Sequence, residues 1–524
     1  MTLRKTINRI LASTYRWYLP EVLLFLVSAG LYFFNAFRYA LPTGYAGLYT
    51  LMSEQLGANA FRLPRTVPFY GPGGFPYAYP PAGFYLAAVF IDALKVPAFV
   101  YLRFAPPLLT LLFLALEYIL VRQMTGSRLK ALLAVSLTSV SGAIYAYHVQ
   151  AAGMVRSLAL AFAAGTLILT WMVLSRPRPE RTTYAQAVLA GAALALTVLT
   201  HLSYALFAIL GIAVFALLAG KCAWRWRLLL PGIILGSALV ISAVWWGTIL
   251  SRFGLVVLTN PARSHGNFEV LHSLAVVGWR SAPALFIQKL IGATFDWTPA
   301  VLVGLDLAGL AYLLLKRRWA LPVLFLLVFL AVGEPDRFLL ITGAIAAAEL
   351  LGDVLTYVHA QDEKDQRPNF LVYTVAIVIL LAYPYYGALK MVRSDQPTLS
   401  PSVIQMAAWI REHTSAEAKY LLLDESNDLD EWIPYLTRRT PLVGSWGGEW
   451  VGNLASLEYR SSQLDACLAS QSDACIQDLI AREKLQVTLL VSPSGNAALN
   501  AQIGADQGWQ VAYQNDQFAV FARR

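Results

Sequence analysis

The sequence predicts an α-helical polytopic membrane protein with about eleven transmembrane helices and a C-terminal extracytoplasmic α/β domain. Three observations carry this. Of the 524 residues, 57% are hydrophobic and 14% charged, whereas soluble domains carry about 25% charged residues. Apolar runs long enough for a hydrocarbon core of about 30 Å recur at 20–38, 98–121, 129–147, 153–174, 184–200, 203–219, 228–250, 298–315, 319–333, 338–357 and 369–391. The charge is also split: from Pro401 onward nine basic residues stand against fifteen acidic ones, and the rest of the chain carries 31 basic and 16 acidic. Lipid cannot satisfy open backbone groups, and the alternation of barrel strands is absent, so the runs are read as helices.

Orientation follows from lysine and arginine in short loops. Arg4, Lys5, Arg9 and Arg16 precede the first run and set the N-terminus inside, with the run read as an uncleaved signal anchor. The other basic loops are Arg122/Arg128/Lys130, Arg176/Arg178/Arg181, Lys221/Arg225/Arg227 and Lys316/Arg317/Arg318. They fall inside only if the short apolar stretch Pro81 to Leu94 lies at the interface instead of crossing. That choice places the C-terminal domain outside, in a protein integral to the cytoplasmic membrane. The basic bias is the positive-inside rule at work; no nucleic-acid module is present.

The membrane part is assigned to residues 1–396 and the outer α/β domain to 397–524. Outside the bilayer come a long first loop, 39–97, a turn at Tyr145–Arg156, a tight turn at His201 to Tyr204, a loop at 251–297 and the quartet Glu334-Pro335-Asp336-Arg337. In the outer domain the pattern predicts helices at Val403–His413 and Ala474–Lys484 and strands at Tyr420–Leu423 and Val487–Ser492. Trp509–Tyr513 and Phe518–Phe521, joined around Asn515-Asp516, read as a hairpin. A disulfide between Cys467 and Cys475 is chemically allowed, though spacing does not decide it, and Cys222 falls in an inner loop. There is no CxxC pair, HExxH, P-loop or GxSxG.

This order of parts resembles the GT-C superfamily of membrane glycosyltransferases. The resemblance rests on the signal-anchor helix, the long first outer loop, and the Tyr79-Pro80-Pro81 element leading into an apolar juxtamembrane stretch. A run carrying Arg103, the second outer loop at Tyr145–Arg156 and the terminal outer domain complete it. It implies a polyprenyl-phosphate-linked sugar donor, transfer on the outer face, and a lipid, glycan or protein acceptor. The family places an acid early in the first outer loop, and many members place one in the second. Here Arg38 to Tyr49 and His148 to Arg156 contain none.

Transfer from a phosphate carrier needs a carboxylate or histidine to take the acceptor's proton, cations for the leaving phosphate, and flat aromatic faces for the sugar. Glu54 is the only carboxylate of the first loop ahead of Tyr79 and is a candidate base; a solvated charge on a loop helix is the other reading. His265 and Glu269 can form a base pair or ligate a metal, or simply belong to a hydrated loop. Arg62, Arg65 and Arg337 are candidate phosphate contacts, with lipid headgroups competing for the first two and a simple pair with Asp336 for the third, and Arg156 and Arg263 are candidate substrate contacts. Tyr77 and Tyr79 offer a sugar platform or an interfacial belt, and His201 a site contact or a structural hydrogen bond. No metal set is assigned and no cofactor is required, although a divalent ion stays open. The expectation is a lipid-linked-sugar glycosyltransferase; a non-catalytic scaffold and a lipid-linked-sugar transporter are the alternatives.

Overall fold

The computed structural model describes residues 18–524 except Pro72 and residues 265–266, 278–280, 296–298 and 366–368. Among the described residues, five helices are long and apolar enough to cross a membrane: Ala98–Thr125, Gly153–Leu174, Leu202–Ala219, Trp224–Phe253 and Asp336–Val358. A sixth results if Arg128–Ser139 and Gly142–Val149, bent by 65°, form one span. Other apolar runs are helical too, as at Tyr18–Tyr32, Ala300–Leu315 and Ala320–Ala331, but shorter. The protein is therefore a multi-pass membrane protein, while the count of about eleven spans rests on the sequence.

Close helix packing uses small residues, because lipid offers little hydrophobic drive between helices. A Cβ on Gly309 would lie 2.4 Å from the Ala346 carbonyl carbon, so Ala300–Leu315 sits directly on Asp336–Asp365. One cluster of charges inside the bundle is paired: the Lys130 ammonium lies 2.6 Å from Asp353 and also meets Glu349. Unpaired, such a buried charge is costly.

The first outer loop is a folded unit. Helix Gly47–Ala58 leads to a small hairpin, Thr66–Val67 against Phe75–Pro76. Gly74, at φ +71°, makes its turn; a Cβ there would meet the Val67 carbonyl oxygen at 2.3 Å. After Tyr79-Pro80-Pro81 comes helix Ala82–Ala88, which widens into a π-turn over Val89–Ala93. At this length it is a short apolar helix, below what a span requires.

The C-terminal part holds a five-stranded sheet in the order Thr440–Pro441, Lys419–Leu422, Leu489–Pro493, Phe518–Arg523, Trp509–Gln514. The first three strands are parallel and the last two close an antiparallel hairpin. Helices Pro401–His413 and Asp473–Arg482 flank it, and Cys467 is bridged to Cys475. Side chains alternate along a strand. Leu421, Leu490 and Phe521 therefore pack with Leu499 and Ile503 on one face. Tyr420, Leu422, Val491 and Val520 take the other face, where they join Leu48, Met52, Tyr77 and Phe84 of the first outer loop. Sheet domain and loop thus share one core.

Helix Asn427–Thr437 makes that junction. The fully buried Glu431 carboxylate accepts the Gly47 and Leu48 amides, the latter at 2.8 Å, capping helix Gly47–Ala58 from another part of the chain. Trp432 Nε1 donates to the Gly44 carbonyl at 2.9 Å, and the Tyr70 hydroxyl donates to the Glu431 carbonyl at 2.6 Å.

Candidate functional site

Where the first loop, the membrane helices and the C-terminal domain meet, a cavity of about 260 Å³ opens. Tyr45, Tyr49 and Tyr79 come from the loop, Arg156, His201, Glu334 and Arg337 from the membrane part, and Trp446, Glu449 and Trp450 from the C-terminal domain. The aromatic rings interlock: Tyr45 lies 4.9 Å from Trp446, Tyr79 5.5 Å from Trp450, and Tyr79 5.9 Å edge-on to His201.

Two arginines define its electrostatics. The Arg337 side chain is 2% exposed and donates to Glu334 Oε2 at 3.1 Å. Its guanidinium lies 4.3 Å from the Tyr147 ring centre, and its Nε finds no acceptor among the described residues. Arg156 donates to the Tyr45 hydroxyl at 2.7 Å, rests against the Tyr147 ring, and likewise has an unmatched Nε. Buried donors normally find acceptors, and a guanidinium presents five of them in a fixed fork. Two such groups lining one cavity suit an anion with several oxygens.

Glu334 adopts φ +48°, in the left-handed region that non-glycine residues enter at a cost. Its chain segment is held by Asn267, whose Oδ1 accepts the Gly333 amide at 2.8 Å. Burial pushes the Tyr79 hydroxyl up to about 12, so the ring stays a neutral platform.

A second, larger cavity of about 990 Å³ adjoins the first, and Tyr45, Gly333, Glu334, Trp446 and Glu449 line both. Glu269, Gln288 and Lys289 form part of its remaining wall, together with Phe329 and with Glu458 and Asp465 of the C-terminal domain.

Of the residues singled out in the sequence, Tyr79, Arg156, His201 and Arg337 meet at the smaller cavity, and Glu269 lines the larger one, 2.8 Å from Lys289. Glu54 lies off both linings. It accepts from the Tyr435 hydroxyl at 2.7 Å and from Arg438 at 2.6 Å, so it fastens the C-terminal domain to the first loop. Tyr77 is buried in the loop core and donates to the Met52 carbonyl at 3.0 Å. Arg62, Arg65 and Arg263 are exposed and line neither cavity. His265 lies outside the described residues. Trp446, Glu449 and Trp450 did not stand out in the sequence, although Ser445-Trp446-Gly447-Gly448-Glu449-Trp450 places two indoles and an acid on a glycine turn. Gly447 has φ +85°, and a Cβ there would strike the Phe75 ring at 2.4 Å, so the turn is fitted to the first loop. No cluster of three or more metal-ligating side chains occurs among the described residues.

No family model matches the chain, and no curated protein sequence matches it. Solved structures do share its fold. AglB oligosaccharyltransferase from Archaeoglobus fulgidus, in complex with an inhibitory peptide and a dolichol-phosphate, aligns with TM-score 0.63 at 15% identity, over 97% of this chain and 75% of that one. The Archaeoglobus fulgidus oligosaccharyltransferase complex with Zn and sulfate gives 0.64 at 16%, over 96% and 72%. ArnT from Cupriavidus metallidurans bound to undecaprenyl phosphate gives 0.55 at 15%, over 97% and 98%. At these identities the likeness is one of fold, shared with both the oligosaccharyltransferase and ArnT.

Proposed function

We propose that this protein is a membrane glycosyltransferase that moves a sugar from a polyprenyl-phosphate carrier to an acceptor at the outer face of the membrane. The observation that carries this is the pair Arg156 and Arg337, which line one aromatic-walled cavity. Two guanidinium groups there suit the oxygens of a carrier phosphate. Tyr45, Tyr79, Trp446 and Trp450 supply flat faces for a sugar ring. The dolichol-phosphate of the archaeal complex and the undecaprenyl phosphate of the ArnT complex belong to the same class of carrier.

The chemistry is a displacement at the anomeric carbon. The acceptor's nucleophile forms a bond to that carbon, the bond to the carrier oxygen breaks, and its electron pair leaves with the polyprenyl phosphate. Arg156 and Arg337 hold the charge that grows there, inside a site where water competes little. Glu334, paired to Arg337, keeps the guanidinium aimed.

The test is to place the full-length protein in lipid vesicles with a panel of polyprenyl-phosphate sugars and to measure released polyprenyl phosphate. Wild type is expected to release it with at least one donor, and Arg337→Gln to lose about 100-fold or more in turnover. A second reading, a non-catalytic scaffold, is favoured by the absence of acids from residues 38–49 and 148–156. Failure of every donor would establish that reading instead.

A further inference from the structure

The transfer reading leaves the proton acceptor unassigned. We propose that Glu449, carried by the C-terminal domain, takes the proton of the acceptor's nucleophile, and that the acceptor approaches it through the larger cavity. This rests on the transferase reading above.

Among the described residues that line the smaller cavity, only Glu334 and Glu449 bear carboxylates. Glu334 is bound to Arg337 and so belongs with the group that receives the phosphate. Glu449 stands on a different wall, between Trp446 and Trp450, whose rings pack on Tyr45 and Tyr79. Burial dominates the rise of the Tyr79 hydroxyl, Arg156 and Tyr49 oppose it, and the Glu449 charge adds to it. The carboxylate is therefore within electrostatic reach of the ring proposed to face the sugar.

Glu449 also lines the larger cavity. A molecule entering there meets the same carboxylate that borders the smaller one, without passing the arginines. Among the described residues, the larger cavity is lined by Glu269, Glu334, Glu449, Glu458 and Asp465 against one cation, Lys289, which pairs with Glu269. The acceptor admitted is thus neutral or cationic around its nucleophile, a hydroxyl or amine, and not phosphorylated there. In the step itself the O–H or N–H proton passes to Glu449 as the lone pair bonds to the anomeric carbon. In the same step the carbon–oxygen bond to the carrier breaks, its electron pair leaving with the phosphate toward Arg156 and Arg337, and Glu449 afterwards returns its proton to water through the open cavity.

The experiment uses the full-length protein in vesicles with polyprenyl-phosphate sugars as donors and hydroxyl acceptors that are neutral, ammonium-bearing or phosphorylated. Glu449→Gln is expected to lower kcat about 100-fold or more while undecaprenyl phosphate binding stays unchanged. Glu449→Asp should recover part of the rate, and the acid-side fall in the wild-type pH profile should vanish from the residual activity of Glu449→Gln. An active wild type with an equally active Glu449→Gln overturns this inference and leaves the transferase reading standing. Loss of undecaprenyl phosphate binding together with turnover also overturns it, because that marks a structural role. A preference for phosphorylated acceptors overturns the entry route, and a wild type inert toward every donor overturns both readings.

Discussion

The join between the C-terminal domain and the first outer loop makes a pH-dependent prediction at Glu431. Burial pushes this carboxyl from its ordinary 4.5 up to about 8, although the Leu48 and Gly47 amides pull the other way. The folded state therefore binds a proton that the unfolded state has already released between those values. Stability is full below pH 4.5 and falls as pH rises through the window, levelling off above about 8. At 1.36 kcal/mol per pKa unit, the gap from 4.5 to about 8 amounts to at most roughly 5 kcal/mol. Glu431→Gln removes the titration, keeps one acceptor and orphans one amide, at a cost of about 1–3 kcal/mol. The variant should be the less stable protein at pH 5 and should match or exceed wild type at pH 8.5. Asp430, pushed up to about 7 by burial, titrates in the same range, and its charge adds a lesser part of the rise at Glu431, so the two titrations are coupled. Hydrogen exchange of the amides of Gly47–Ala58, corrected for intrinsic pH dependence, reads this opening locally. A gap that stays constant or widens with pH would refute the reasoning, for it would mean that the carboxylate is ionised throughout and its amide bonds outweigh its burial.

Other perturbations test separate parts of the structure. Glu54→Gln should cost no more than about 1 kcal/mol, because its ion pair with Arg438 is partly exposed, and should leave turnover within a few-fold; a loss of about 100-fold would restore Glu54 as a base. Gly309→Val should lower the thermal midpoint in detergent by forcing two helices apart, at about 1–3 kcal/mol. Replacing Cys467 and Cys475 by serine should destabilise the C-terminal domain by about 2–3 kcal/mol, read by limited proteolysis. Undecaprenyl phosphate at about 100 times its Kd should stabilise wild type by about 2.7 kcal/mol and Arg337→Gln much less.

Membrane class was legible because it depends on composition and run length, which survive without tertiary information. The short helix after Tyr79-Pro80-Pro81 was legible for a similar reason: loop charge counts do not depend on packing. Strands at Tyr420 and Leu489 showed in their apolar runs. The site was only half legible. Arg156, His201 and Arg337 stand at helix ends, where a polar residue among apolar ones attracts notice. Glu54 attracted the same notice, but nothing local could reveal Tyr435 and Arg438, some 380 residues away, at its carboxylate. Glu449 was hidden for the converse reason. In an acidic, water-facing domain one more glutamate is unremarked, and only the fold brings it against Tyr45 and Tyr79.

The division of labour across the cavity has a structural consequence. The two arginines belong to the membrane helices and are fixed by rings from the same helices and the loops that join them: Tyr147, Tyr204 and Phe338 around Arg337, Tyr45 and Tyr147 around Arg156. Arg337 takes none of these rings from the C-terminal domain, while Arg156 reaches that domain at one remove, through Tyr45, which packs on Trp446. Glu449 has no such independence. Its position depends on helix Asn427–Thr437 remaining docked, hence on Glu431 at the loop amides and on Trp432 at Gly44. Loosening that helix should separate binding from turnover: the anion site survives while the wall bearing Glu449 drifts. An error of about 1 Å in such a group is enough to cost two orders of magnitude in rate. On the transferase reading, the buried Glu431 cap, although it lines neither cavity, is therefore expected to affect turnover more than anion binding.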